Sequence, residues 1–169
     1  YLRNKSLSFD NETLITFAPF LEIETNFEIE DLSSEILRKI NFVKLLEQKN
    51  IIKKINSKNT IIFKPKKFSK KFIDDLNLKL NLAYGRVNYE KDFLIENNSF
   101  KCKGDLNFLE EYPLLYFNCS TLIKDKKKLL KKFSINIKSS DEDLGLKIKG
   151  NLNILNNKIN FEKISLNQK

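Results

Sequence analysis

Residues 76 to 84 read LNLKLNLAY, an alternation of leucine with polar or small residues that ends on Tyr84. Successive side chains of a β-strand point to opposite faces, so this alternation predicts a strand with one apolar face. The polar positions here and in similar stretches are mainly Lys, Asn and Glu, which indicates that the other face contacts water. A sheet with one wet face is typically antiparallel, and the fold class is therefore predicted to be mainly β.

The same alternation recurs along the chain. It occurs at Leu21, Ile23, Phe27 and Ile29; at Phe100, Cys102, Gly104, Leu106 and Phe108; at Leu115, Phe117 and Cys119; at Phe133, Ile135 and Ile137; at Leu144, Ile148, Leu152 and Ile154; and at Ile159 and Phe161. After Phe161 the phase shifts by one residue at positions 162 to 163, and Ile164 and Leu166 continue the pattern. One extra residue inside a strand predicts a β-bulge there.

Two stretches lose the alternation and predict short helices. Residues 43 to 56 contain good helix formers and form an expected helical insertion, which Asn50 can divide into two pieces. Residues 125 to 132 begin with Asp125, an N-cap residue type, and end in lysines that suit the negative end of a helix. Residues 65 to 72 are expected to be a basic loop, since Pro65 ends a strand at 60 to 64.

A segment of nine residues occurs twice, as KCKGDLNFL at 101 to 109 and as KIKGNLNIL at 147 to 155. A turn and a returning strand follow each copy, so the repeated unit is predicted to be a hairpin, at about 99 to 124 and 144 to 166. Repeated hairpins favour an extended, curved antiparallel sheet built by stacking. In the second copy, a two-residue Asn-Asn turn is expected to pair Ile154 with Ile159 and Leu152 with Phe161.

The first copy predicts a pairing of the two cysteines. If its turn is centred on residues 110 to 111, Cys102 lies directly opposite Cys119, and Leu106 lies opposite Leu115. Two interpretations stay open. One is a cross-strand disulfide formed in an oxidising compartment, and the other is two free thiols buried in the core, with Pro113 able to change the register.

The composition argues against most catalytic chemistry. The chain has no His, and its four glycines stand far apart in the sequence, which removes histidine bases and ligands, Ser-His-Asp triads and glycine-rich phosphate loops. We expect neither an enzyme nor a cofactor or metal site. The acidic cluster at Asp141, Glu142 and Asp143 is interpreted as a solvated connection between strands.

The net charge of +9 is a weak indication of nucleic-acid binding. Only three of the 31 basic residues are arginine, the residue that most often reads base edges and phosphates (Arg3, Arg38 and Arg86). We therefore expect no nucleic-acid partner. No apolar run reaches the roughly 18 residues of a transmembrane helix, and a chain that opens on Tyr1 is expected to be a segment of a larger protein.

Three stretches carry a family resemblance: DLNLKLNLAYGRVNY at 75 to 89, KCKGDLNFL at 101 to 109, and GNLNILNNKINFEKISL at 150 to 166. Their rhythm of strand, glycine and strand, with a final apolar-x-Phe-x-x-Ile-x-Leu pattern, resembles the C-terminal region of AsmA-like proteins of Gram-negative bacteria. The resemblance covers roughly residues 60 to 166. It implies a periplasmic protein, anchored to the inner membrane by a region outside this chain, that serves phospholipid transport or outer-membrane homeostasis.

The apolar face and the resemblance together predict a non-enzymatic envelope module whose β-groove holds the acyl chains of phospholipid. The expected groove residues are the apolar ones of the two hairpins: Phe100, Leu106, Phe108, Leu115, Phe117, Ile148, Leu152, Ile154, Ile159 and Phe161. Lys126, Lys127 and Lys128 are the expected headgroup contacts. The alternatives are a β-sandwich interaction or scaffold domain, in which a second sheet closes the same face, and a lysine-rich polyanion binder.

Overall fold

A computed structural model describes residues 2–3, 7–19, 21–32, 42–64, 73–135 and 143–168. Within these residues ten strands form one sheet, and the order of the strands in space follows their order in the chain. The strands are β1 (Leu2–Arg3), β2 (Leu7–Thr16), β3 (Glu22–Leu32), β4 (Asn56–Phe63), β5 (Asp75–Ala83), β6 (Arg86–Ile95), β7 (Asn98–Asn107), β8 (Leu114–Ile123), β9 (Leu144–Asn153) and β10 (Lys158–Gln168). The mainly β fold class is confirmed.

Neighbouring strands are antiparallel except for β3 and β4, which are parallel. A parallel pair needs a crossover connection, and this one contains helices α1 (Phe42–Glu47) and α2 (Lys49–Ile52). The two helices occupy the first part of the predicted insertion at 43 to 56, and β4 begins at its last residue. The alternation did not predict the parallel pair because an apolar pattern does not encode strand direction.

The second helical stretch is α3 (Lys126–Lys132), which follows β8. The Asp125 carboxylate accepts the backbone N–H of Lys128 at 2.9 Å, which confirms the predicted N-cap. The strand expected at Phe133 and Ile135 is wrong, because these residues close the helix. The Ser134 N–H donates to the Lys131 carbonyl and the Ile135 N–H to the Leu130 carbonyl, with Ser134 at a φ of 60°, as in a Schellman motif.

Ile137, the basic loop at 65 to 72 and the acidic residues Asp141 and Glu142 lie outside the described residues. The expectations for them therefore stay predictions.

A cluster of buried apolar side chains lies at one end of the sheet's apolar face, whereas Ile95 and Leu129 are buried apart from it. Leu46 of α1 packs there with Leu106, Phe108 and Ile154, which belong to β7 and to the turns after β7 and β9. Partly buried Val87 and Leu115 border this cluster. The crossover helices therefore cover the end of the face at which β7 and β9 finish.

The hairpin of β9 and β10 confirms one prediction and corrects another. The register shifts between Phe161 and Lys163, so the predicted bulge is present. The two-residue turn is wrong, since Leu152 lies opposite Ile159 and Gly150 lies opposite Phe161. The connection instead spans residues 154 to 157.

Local hydrogen bonds explain the longer connection. The Asn153 side chain accepts the backbone N–H of Leu155 at 3.0 Å and that of Asn156 at 3.4 Å. The Asn156 side chain in turn accepts the Lys158 N–H at 3.0 Å. Asparagine side chains often stabilise turns in this way, and the wider turn also leaves Ile154 in the buried core.

Candidate functional site

The strand register arranges the apolar side chains in rows across the sheet. We call one of them the central row; its members, from β3 to β10, are Phe27, Ile61, Leu78, Lys91, Cys102, Cys119, Ile148 and Ile164. Apart from Lys91, the row consists of apolar side chains and the two cysteines. It marks the middle of the apolar face, away from the cluster around Leu46.

The ten predicted groove residues do not share one environment. Three of them, Leu106, Phe108 and Ile154, are buried with Leu46, so a ligand on the sheet surface would not reach them. Leu115 is half-buried and borders that cluster. Phe100, Phe117, Ile148 and Leu152 are half-buried on the sheet face, and Ile159 and Phe161 are exposed on β10.

The uncovered part of the face extends to β10. Ile159, Phe161, Ile164 and Leu166 are between 52% and 63% exposed, and they follow the half-buried residues of β8 and β9 across the sheet. We call these four residues, together with Phe100, Phe117, Ile148 and Leu152, the open face. All strands of the described residues belong to the single sheet, so no second sheet from that part of the chain covers the open face.

Two glycines bring aromatic rings close to the sheet backbone on this face. A Cβ on Gly104 would contact the Tyr116 carbonyl oxygen of β8 and would lie 2.9 Å from the Tyr89 ring. A Cβ on Gly150 would contact the Asn160 carbonyl oxygen of β10 and would lie 2.8 Å from the Phe117 ring. Glycine is therefore favoured at both positions, because a side chain would meet the backbone of the adjacent strand.

The rings at these glycines also connect strands. The Tyr89 hydroxyl donates to the Tyr116 carbonyl at 3.2 Å, and burial, together with the nearby Asp105 carboxylate, raises the pKa of Tyr89. The Phe117 ring lies 6.2 Å from the Phe161 ring at an interplanar angle of 75°, an edge-to-face contact. Phe117 therefore links the half-buried and the exposed parts of the open face.

Cys102 and Cys119 form a disulfide between β7 and β8 in the central row, with their Cα atoms 4.1 Å apart. The expected register is present, and Leu106 lies opposite Leu115 as predicted. Of the two interpretations that the sequence left open, the structure therefore has the disulfide.

The end of the sheet opposite the Leu46 cluster is held by polar contacts. Lys132 of α3 is 15% exposed and lies 3.1 Å from the Glu96 carboxylate and 3.8 Å from that of Asp74. Asn98 is fully buried, and its side chain donates to the Ile95 carbonyl at 3.1 Å and accepts the Lys124 N–H at 2.8 Å. These bonds fix the segment that leads into α3.

The predicted headgroup contacts lie in the first turn of α3. Lys127 and Lys128 are exposed, and Lys126 is half-buried. Lys128 also lies 3.2 Å from the Asp125 carboxylate, and the N-cap bond, together with this ion pair, lowers the pKa of Asp125.

Sequence reasoning missed two residues of this face, Lys91 and Asn98. Lys91 is half-buried in the central row, its ammonium lies 5.0 Å from the centre of the Phe93 ring, and burial lowers its pKa. The sequence did indicate that Lys91 lies on the apolar face, because Val87, Tyr89 and Phe93 occupy every second position around it. No comparable pattern distinguishes Asn98 from the other asparagines of the chain.

Two further features were sought in the described part of the chain, a metal site and a membrane-spanning helix. It holds no group of three or more His, Cys, Asp or Glu side chains arranged for a metal ion. None of its helices has the length and apolar character needed to cross a membrane. No protein-family model, curated protein or solved structure matches the chain.

Proposed function

We propose that the chain is a non-enzymatic envelope module that holds the acyl chains of phospholipid on its open face. The observation that supports this most directly is the run of four exposed apolar side chains on β10, which continues the half-buried surface of β8 and β9. Large apolar patches on proteins usually bind an apolar partner, because covering them removes apolar area from water. A wide apolar sheet surface suits flexible acyl chains.

The disulfide supports placing this activity in the periplasm. Disulfides persist in oxidising compartments and are rare in a reducing cytosol. Cys102 and Cys119 lie on the same face that would hold lipid, so the bridge would stiffen the binding surface itself. Anchoring to the inner membrane would come from a region outside this chain.

A charge placed on the open face tests the proposal. Phe117→Glu puts a carboxylate at the centre of the surface, and we expect it to abolish lipid retention because burying an unpaired charge costs several kcal/mol. The matched control is Asn118→Glu, the next residue of β8, which is exposed on the polar face and should leave lipid loading unchanged. Native mass spectrometry of protein recovered from the periplasm measures the bound lipid.

A second variant keeps the proposal testable if Phe117→Glu fails to fold. Phe161→Glu introduces the same charge at an exposed position of β10, where the fold tolerates it more easily. Circular dichroism establishes that each variant is folded. Equal lipid loading of folded Phe117→Glu, folded Phe161→Glu and the unaltered protein would refute the proposal, as would a lipid-free chain whose open face is closed by a second layer.

The α3 lysines are proposed to contact anionic headgroups at the membrane surface. Replacing Lys126, Lys127 and Lys128 together by Ala should weaken association with anionic vesicles by about 1 kcal/mol per lysine without emptying the open face. Vesicle co-sedimentation at low and high salt measures this effect. The difference between variant and unaltered protein should shrink as salt screens the charges, and a loss of bound lipid in the variant would contradict this assignment.

A further inference from the structure

We propose that Lys91 binds the phosphate of an anionic phospholipid whose acyl chains lie across the open face. This inference rests on the proposed function and adds to it the chemical class of the lipid and the point at which its headgroup is held.

The position of Lys91 is the first argument. It lies in the central row, between Leu78 on one neighbouring strand and Cys102 on the other. Its neighbours along β6 on the same face are Tyr89 and Phe93, and its ammonium lies 5.0 Å from the centre of the Phe93 ring. Glu90 and Asp92, its neighbours in the chain, project from the opposite face of the strand and cannot neutralise it there.

The comparison with Lys132 is the second argument. Both lysines are removed from water to a considerable extent, and Lys132 has two carboxylates, Asp74 and Glu96, within 4.0 Å. Among the described residues, no carboxylate lies within ion-pairing distance of Lys91, and its ammonium lies over the face of the Phe93 ring. A partly desolvated ammonium without a counter-ion is costly, and a bound anion would remove that cost.

The sheet provides room for the rest of the lipid. From β6 to β10 there are four strand spacings of about 4.8 Å, or roughly 19 Å, which is comparable to an extended long acyl chain. Along this path the central row presents the disulfide, Ile148 and Ile164. A phosphate at Lys91 would therefore leave the acyl chains on the apolar residues of β7 to β10.

The test separates the contribution of the phosphate from that of the acyl chains. The probes are a short-chain phosphatidic acid, below its micelle concentration, and the diacylglycerol with the same acyl chains. Binding of both is measured by calorimetry and native mass spectrometry for the unaltered protein, Lys91→Met, Lys91→Arg and the control Lys79→Met. Lys79 is exposed on the polar face of β5, so its loss removes one charge from elsewhere on the sheet.

We expect Lys91→Met to weaken phosphatidic acid binding about tenfold or more, since a charge-assisted contact to phosphate is lost. Its binding of diacylglycerol should not weaken, and Lys91→Arg and Lys79→Met should bind both probes as the unaltered protein does. Equal phosphatidic acid binding by Lys91→Met and the unaltered protein, with diacylglycerol still bound, would overturn the assignment of Lys91 alone and show that its ammonium only extends to water. Failure of the unaltered protein to bind either probe would refute the proposed function and this inference together.

Discussion

The two copies of the repeated segment end in the same local structure. The Asn107 side chain accepts the Leu109 N–H at 3.1 Å, and Asn153 accepts the Leu155 N–H at 3.0 Å. The residues between them, Phe108 and Ile154, are both buried in the cluster around Leu46. The shared pattern Leu-Asn-x-Leu, with an apolar residue at x, therefore produced the same strand end and the same buried contact in both copies.

The strands that return from these turns differ. β8 lies between β7 and β9 and is joined to β7 by the disulfide. Within the described residues β10 pairs only with β9, contains the bulge after Phe161, and exposes its apolar side chains. The difference shows that a local sequence determines how a strand ends, whereas its neighbours in the sheet determine how much of its apolar surface is covered.

The disulfide should account for the largest difference between the two hairpins. Replacing both Cys102 and Cys119 by Ala should lower the free energy of unfolding by about 3 kcal/mol, because a bridge across 17 positions restricts the unfolded chain. Urea denaturation of the variant and the oxidised protein measures the loss. A reductant should destabilise the unaltered protein by a similar amount and leave the variant unchanged, and a variant as stable as the oxidised protein would contradict the prediction.

Replacing the two glycines should also affect the two hairpins unequally, with smaller losses of stability than removal of the disulfide. Gly104→Ala would force a Cβ onto the Tyr116 carbonyl of β8, which two neighbouring strands hold in place, and we expect a loss of about 2 kcal/mol. Gly150→Ala meets the Asn160 carbonyl of β10, which can move outward, and should cost about 1 kcal/mol. Denaturation curves of the two variants compare them directly, and a larger loss for Gly150→Ala would mean that β10 is as firmly held as β8.

The two asparagines should behave alike and give the smallest effect. Asn107→Ala removes the bonds to the Leu109 N–H and the Glu110 carboxylate, and Asn153→Ala removes those to the Leu155 and Asn156 N–H groups. Each should lower the free energy of unfolding by about 1 kcal/mol. Thermal unfolding of both variants beside Asn118→Ala, which removes an exposed polar-face side chain outside the turns, provides the comparison. Clearly unequal losses would show that the neighbouring strands also influence the strand end. That result would contradict the conclusion that the local sequence determines how a strand ends.

Much of the fold follows from local patterns. The alternation predicted the strand class, the phase shift predicted the bulge beside Glu162, and Asp125 predicted the start of α3. The register of the first hairpin was also predictable, because placing its turn at residues 110 to 111 sets Cys102 opposite Cys119. Each of these features depends on residues close in sequence or on a single hairpin.

Two predictions were wrong at places where the local sequence pattern is compatible with two different structures. Phe133 and Ile135 have strand-like spacing, yet the helix before them ends in a Schellman motif that uses the same residues. The Asn-rich connection after β9 fits a two-residue turn, but side-chain hydrogen bonds from Asn153 stabilise a longer one. In both cases hydrogen bonds made by backbone N–H groups, rather than the spacing of apolar residues, determined the local structure.

The sequence by itself determined that the chain forms amphipathic strands and repeated hairpins, because side-chain alternation and turn chemistry are properties of neighbouring residues. Only the tertiary structure decided which part of the apolar face is covered. Leu46 reaches Leu106 across a parallel crossover, whereas Phe117 remains half-buried and Phe161 exposed. Burial depends on which elements meet in space, and contacts between residues far apart in the chain are not encoded in the period of any one strand.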